Sequence, residues 1–162
     1  MIKSLFQVTL LASTFTVAAH TLAPAQVDPA ALREQLQQAI ARGDVAGALA
    51  LYADDAVVDG QGVCTAAPCV GKAAIQKDLE RRVAAQNHAT TIRNYVSSNV
   101  LTARTELRND FIKKAGAERI IMWLIYEVKG DKIASELGPI YERMDPQTAR
   151  FLAWRRAQQR SP

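Results

Sequence analysis

The chain has 162 residues, 49% of them hydrophobic, with 20 Lys and Arg against 16 Asp and Glu and a formal net charge of +4. That length suits one ordinary domain, large enough to bury roughly two-thirds of its unfolded-chain surface. The basic residues are scattered apart from Arg155, Arg156 and Arg160 in the tail, which argues against a nucleic-acid-binding face, and no repeat, low-complexity tract or internal linker divides the chain.

Met1 to Ala25 has the layout of an export signal. Lys3 supplies the positive start, and Leu5 to Ala19 is an apolar run shorter than the roughly 20 residues a membrane-spanning helix needs. Ala23-Pro24-Ala25 offers a small-x-small cleavage pattern, with Gln26 as the new N-terminus; a buried N-terminal helix is the alternative reading. No cysteine sits near the cleavage point for a lipid. The expectation is therefore a single mature domain over 26–162, with no membrane anchor, in the periplasm or outside the cell. In an oxidising compartment Cys64 and Cys69, the only two cysteines, read as a disulfide that staples the loop Thr65-Ala66-Ala67-Pro68. A redox couple usually has two intervening residues and a zinc site wants four ligands, so those readings fit less well.

Asp28 as N-cap and Pro29 in the first turn start a helix that carries Leu32, Leu36, Ala39 and Ile40 at helical spacing and ends near Gly43. Asp44 caps a second helix with Val45, Leu49 and Tyr52 on one face, predicted to stop at Asp54-Asp55, before a short strand at Val57 and Val58. A third helix is expected from about Lys72 to Gln86, burying Ala74, Ile75, Leu79 and Val83. Strand character then dominates: Thr90 to Val96, a turn at Ser97-Ser98-Asn99, and Val100 to Asp110. In that last stretch Leu101, Ala103, Thr105 and Leu107 share one side, and Thr102, Arg104, Glu106, Arg108 and Asp110 the other. Lys113 to Ala117 is read as a hairpin connection. Arg119 to Val128, apolar on both faces, reads as a central strand, and Lys129-Gly130-Asp131 turns into a final strand, Lys132 to Glu142. Asp145-Pro146 opens a C-terminal helix, about 146–160, with Phe151, Leu152 and Trp154, expected to pack on the outside. Three helices followed by a long antiparallel run define an α+β fold with helices on one side of a curved sheet.

The order helix, helix ending LYADDAVVDG, GKAAI helix, then long strands with a KGDKI turn resembles the nuclear-transport-factor-2-like superfamily, which includes SnoaL-like cyclases, ketosteroid isomerase and limonene epoxide hydrolase. The resemblance covers about Pro29 to Arg143. It implies a cone-shaped domain whose helices and bent, mainly antiparallel sheet enclose a largely apolar cavity, frequently as a homodimer paired through the outer face of the sheet. Against ketosteroid isomerase, the proton-shuttling Asp falls on Gly60, the oxyanion-hole Tyr on Leu36 and its partner Asp near Leu124. That chemistry needs a carboxylate base and two acidic donors, so the isomerase activity is rejected. Against the epoxide hydrolase, Arg104 and Glu106 fall where that enzyme carries an Arg-x-Asp pair, its third acid aligns close to Gly138, and its water-positioning Tyr and Asn fall on Val58 and Gly60. Glu136 lies two residues before Gly138 on the same strand face and is the substitute acid.

Both comparisons direct Ile120, Met122, Leu124 and Tyr126 into the cavity as ligand-binding residues, together with Arg104, Glu106 and Glu136 as the candidate catalytic set, and turn Trp123 and Ile125 outward toward a dimer partner. In that set Arg104 would orient and charge a carboxylate that takes a proton from water. The competing reading of Arg104, Glu106 and Arg108 is a solvated strand face with cross-strand ion pairs. Asp54 and Asp55 read as capping and loop residues, and Asp59, one place before the isomerase base position, points away from the cavity. His88 is the only histidine left after removal of His20, and nothing pairs with it to bind a metal. No phosphate loop, nucleophile elbow or cofactor fingerprint is present, so no cofactor and no metal are expected. Two functions stand side by side: an exported cavity protein for a small apolar or amphipathic ligand, with catalysis unassigned, and a cofactor-independent hydrolase, lyase or isomerase using Arg104, Glu106 and Glu136.

Overall fold

The computed structural model describes residues 27–160, so the expected export signal and its cleavage point lie outside the described residues. Helix α1 (Pro29–Ala41) starts where the Asp28 carboxylate accepts from the Ala30 N–H at 2.9 Å, and the chain reverses at Gly43 with φ +74°. Helix α2 (Val45–Ala50) is capped by Asp44, which accepts from the Gly47 N–H at 2.8 Å.

Here the expected continuation to Asp54-Asp55 is overturned, because strand β1 already runs Tyr52–Asp59. The Leu51 carbonyl accepts from the Ile133 N–H at 2.9 Å, so pairing with a distant strand takes the chain out of the helix before local propensity would. A 3₁₀ turn (Gly62–Thr65), the two-residue strand β2 (Cys69–Val70) and helix α3 (Lys72–Ala84) follow. Cys64 and Cys69 form a disulfide across that loop.

The long strands are β3 (His88–Ser97), β4 (Val100–Arg108), β5 (Ile120–Lys129) and β6 (Lys132–Tyr141). Between β4 and β5 the chain forms a short helix α4 (Asp110–Lys114), capped by Asn109, where a plain hairpin connection was expected. Helix α5 (Pro146–Arg160) ends the described chain. The six strands make one curved, unclosed sheet in the order β2-β1-β6-β5-β4-β3, antiparallel except for the parallel β1–β6 pair. Register shifts in the β3–β4 and β5–β6 ladders bend the sheet around its concave face. The core lies there, between the sheet and α1 and α3: Leu32, Leu36, Ile75, Leu79, Leu101 and Tyr126 are all buried. Helix α5 does not lie on the outside as expected. It closes the open end of the cone, with Phe151 buried and its ring edge-to-face with Phe111, centroids 5.9 Å apart.

Among the described residues no helix is long and apolar enough to cross a membrane.

Candidate functional site

A cavity of about 200 Å³ lies between the start of the loop that follows β1, the C-terminal end of α3, the ends of β4 and β5, and α5. Its apolar wall is built by Leu107, Phe111, Ile112, Ile120, Met122 and Phe151. The strand period explains Ile120 and Met122: even-numbered positions of β5 face the helices, and both are nearly inaccessible to solvent. Leu124 and Tyr126 share that face but lie deeper, in packed core below the cavity. The polar wall comes from Gln61, Asn87, Asn109 and three arginines, Arg81, Arg82 and Arg155.

Beneath the cavity sits a buried polar network centred on Glu136, which is fully buried. Its Oε1 accepts from Gln61 Nε2 at 2.7 Å, from the Tyr126 hydroxyl at 2.9 Å and from Arg82 Nη1 at 3.0 Å. Its Oε2 accepts from the Tyr52 hydroxyl and from Arg82 Nη1 at 3.2 Å. Arg82 in turn meets Asp78 one turn earlier on α3, Nε to Oδ2 at 2.6 Å, a charge contact rather than an aligned hydrogen bond. Asp78 Oδ1 accepts from the Val63 N–H at 3.0 Å, tying the disulfide loop to α3. A second buried cation, Arg33 of α1, donates to the hydroxyls of Thr91 and Thr105 and sits 5.7 Å from the centroid of the Tyr126 ring. Arg33, Arg82, Asp78 and Glu136 are therefore two buried cations and two buried carboxylates, a neutral set.

Burial works to raise the Glu136 pKa, but the Arg82 charge and the hydrogen bonds from Tyr52, Arg82 and Gln61 outweigh it, so the carboxyl is held below its ordinary value. Burial and the Glu136 charge push the hydroxyls of Tyr52 and Tyr126 up, so both stay protonated as donors. Burial disfavours the Arg82 charge, yet Glu136 and Asp78 hold it firmly protonated. Glu136 thus has donors on both oxygens and does not line the cavity, the opposite of a base poised near neutrality beside a substrate.

The expectation that Arg104 and Glu106 share the cavity with Glu136 is overturned by the strand register. Ala103 pairs with Leu124 and Thr105 with Met122 on the concave face, whereas Arg104 pairs with Trp123 and Glu106 with Ile121 on the other face. Arg104 makes a two-pronged ion pair with Glu142, at 2.9 and 2.7 Å, and Glu106 meets Arg108 and Arg119. The cross-strand ion-pair reading of this row is the one realised. Asp54 is exposed and pairs with Lys72 at 2.7 Å; His88 is exposed at the start of β3. Leu36, Leu124 and Gly60, the positions that the resemblance matches to the isomerase's catalytic groups, are two buried apolar side chains and a glycine. At Gly60, φ is +76° and a Cβ would stand 2.1 Å from the Gly138 carbonyl oxygen, so this backbone has no room for a side chain there.

Sequence reading missed Arg33, Tyr52, Asp78 and Arg82. The signal was present: Arg33 stands in register with Leu36 and Ile40, and Asp78 and Arg82 follow Ile75 on the buried stripe of α3. Charged residues on an apolar stripe, two of opposite sign one turn apart, mark a buried pair. Among the described residues no three His, Cys, Asp or Glu side chains gather as a metal site.

A bent sheet wrapped by helices around a side-chain-lined cavity defines the cone-shaped architecture of nuclear-transport-factor-2-like proteins. The chain matches the SnoaL-like domain over residues 12–136 and belongs to that family. Solved structures agree in fold. Ketosteroid isomerase from Mycobacterium sp. matches with a TM-score of 0.57 at 23% identity, over 68% of this chain and 91% of that one. Rv0760c from Mycobacterium tuberculosis, in complex with estradiol-17beta-hemisuccinate, matches with a TM-score of 0.57 at 19% identity, over 70% and 94%. The epoxide hydrolase/cyclase-like enzyme SalBIII, described for pyran ring formation in the polyether salinomycin, matches with a TM-score of 0.58 at 12% identity, over 67% and 86%. A search of curated proteins finds no match to the chain.

Proposed function

We propose that this SnoaL-like protein is an exported binding protein for a small apolar or amphipathic ligand, with no catalytic residue assigned. The observation that carries the reading is the division of labour around the cavity. The wall is aliphatic and aromatic with a few polar groups, the usual composition of a ligand pocket, while the carboxylates beneath it are engaged in holding Arg82. Ile120 and Met122 are its ligand-contacting residues on β5, and Leu124 and Tyr126 form the floor beneath them. At about 200 Å³ the cavity is smaller than the roughly 300–1,000 Å³ of most drug-sized sites, which favours a compact ligand. The estradiol derivative bound by Rv0760c supports the same use of the fold. Acid–base catalysis by Arg104 and Glu106 is not part of the proposal, since both lie on the far face of the sheet.

Export to the periplasm or beyond the cell is supported by the signal-like N-terminal sequence and by the disulfide between Cys64 and Cys69. Homodimerisation is supported by the outer face, where Tyr95 and Trp123 stack with centroids 6.0 Å apart beside exposed Ile140. Native mass spectrometry of the protein purified from its own periplasm tests all three: a mature dimer with a retained small molecule is expected. An empty chain that also binds nothing from a panel of compact hydrophobic compounds overturns the binding reading.

A further inference from the structure

Two features of the cavity remain unused by the network beneath it. The first is Arg82 Nη2. Arg82 borders the cavity and is only 6% exposed, yet this nitrogen has no hydrogen-bond partner while Nη1 and Nε face Glu136 and Asp78. A buried, charged donor left without an acceptor is costly, so an acceptor supplied from the cavity would stabilise it.

The second is the sign of the wall. Three arginines line the cavity and no Asp or Glu does. Arg82 is balanced from behind, since the buried set of Arg33, Arg82, Asp78 and Glu136 sums to zero. Arg81 and Arg155 are not balanced. Neither is in an ion pair among the described residues, and Arg155 instead donates to the Tyr141 hydroxyl at 3.0 Å and lies 5.9 Å from the Phe151 ring centroid. The polar wall therefore carries a net positive charge facing the apolar wall of Ile120, Met122 and Phe151.

From these observations we infer that the ligand is a compact organic anion, an apolar body bearing a carboxylate, with the carboxylate received by Arg82 Nη2 and Arg155 and the body seated on Ile120, Met122 and Phe151. A carboxylate suits a guanidinium because its two oxygens match parallel N–H donors. The apolar body supplies affinity and the arginines supply orientation. This inference rests on the ligand-binding reading above and specifies its ligand class.

The test is isothermal titration calorimetry of the purified protein with phenylacetate and hexanoate, each against its neutral amide, phenylacetamide and hexanamide. Charge-assisted hydrogen bonding predicts that the acids bind roughly ten- to hundredfold more tightly than the amides. Added salt weakens the acids alone. Arg155→Gln, half-buried and outside the buried charge set, is expected to fold normally, and to weaken the acids several-fold and the amides by less, so that the acid-to-amide ratio falls. Equal affinity for acid and amide, or a ratio that Arg155→Gln does not move, overturns the anion inference while leaving the binding reading standing. Failure of both acids and both amides to bind overturns the two together.

Discussion

Glu136→Gln is expected to destabilise the fold by about 3–5 kcal/mol, the cost of breaking a buried ion pair by removing one partner. The substitution keeps the volume but deletes the charge opposing Arg82, which then has only Asp78 beside it, and the buried set acquires a net positive charge. The amide also turns one acceptor into a donor. Oε1 receives three side chains and Oε2 two, with Arg82 Nη1 on both, so whichever position the nitrogen takes, it meets Arg82 donor to donor and leaves Tyr52, or Gln61 and Tyr126, without their acceptor. Those unmet donors lie within the same figure rather than adding to it. Against a typical stability of about 5–15 kcal/mol for a domain, the loss is about a fifth or more. Urea unfolding followed by tryptophan fluorescence measures it as a shift in midpoint at constant slope. Arg82→Gln and the double variant complete a cycle, in which a coupling energy of about 1.5 kcal/mol or more is expected. A loss below about 1 kcal/mol for Glu136→Gln, or additivity of the two substitutions, would refute the view that Glu136 is held as an anion by Arg82.

The same network sets a pH window. Glu136 is depressed below its ordinary value of 4.5, so its contribution is present above that pH and is lost as pH falls through the lower folded value. Tyr52 and Tyr126 are raised above 10.0, so theirs is present below that pH and is lost as pH rises through the folded values. Urea midpoints are thus expected to fall on both flanks, with Glu136→Gln flattening the acid one; an unchanged acid limb in that variant contradicts the assignment. Arg104→Ala removes a half-exposed outer-face pair with Glu142 and is expected to cost about 1 kcal/mol or less, leaving ligand affinity unaltered by calorimetry. Replacing Cys64 and Cys69 together by serine is expected to lower stability by about 2 kcal/mol on the chain-entropy model, read from the same denaturant curves against the oxidised wild type. Gly60→Ala is expected to destabilise strongly, since its Cβ meets the Gly138 carbonyl at 2.1 Å; a thermal midpoint within 2 °C of wild type, about 0.5 kcal/mol, would show that the backbone yields.

The architecture was largely legible in the sequence because its signals are local. Asp28, Asp44 and Gly43 punctuate the first two helices, and the two-residue period of Val100 to Arg108 separates buried from exposed positions as written. What failed were the places where distant pairing decides. Tyr52 continues a helical apolar pattern, but the parallel partner β6 claims it for a strand. The face of Arg104 and Glu106 was assigned by family comparison, against the plain alternation that put Ala103 and Thr105 with the core; the ladder to β5 sides with the alternation. The site was less legible than the fold. The spacing of Asp78 and Arg82 marks a pair on the buried stripe of α3, but nothing local names their third partner, Glu136, 54 residues beyond Arg82. Such a network is specified by tertiary contact, and only the apolar neighbours of Arg33 and Arg82 betray it beforehand.

The close approach of the Gly138 main chain to Gly60 limits engineering at the end of β1. Because main chain, and not a replaceable side chain, stands against Gly60, no single codon change there can install a side chain, a carboxylate included, without displacing β6 at Gly138. Placing an acid at this end of β1 would have to begin by remodelling the β6 backbone around Gly138, with the side chain coming second.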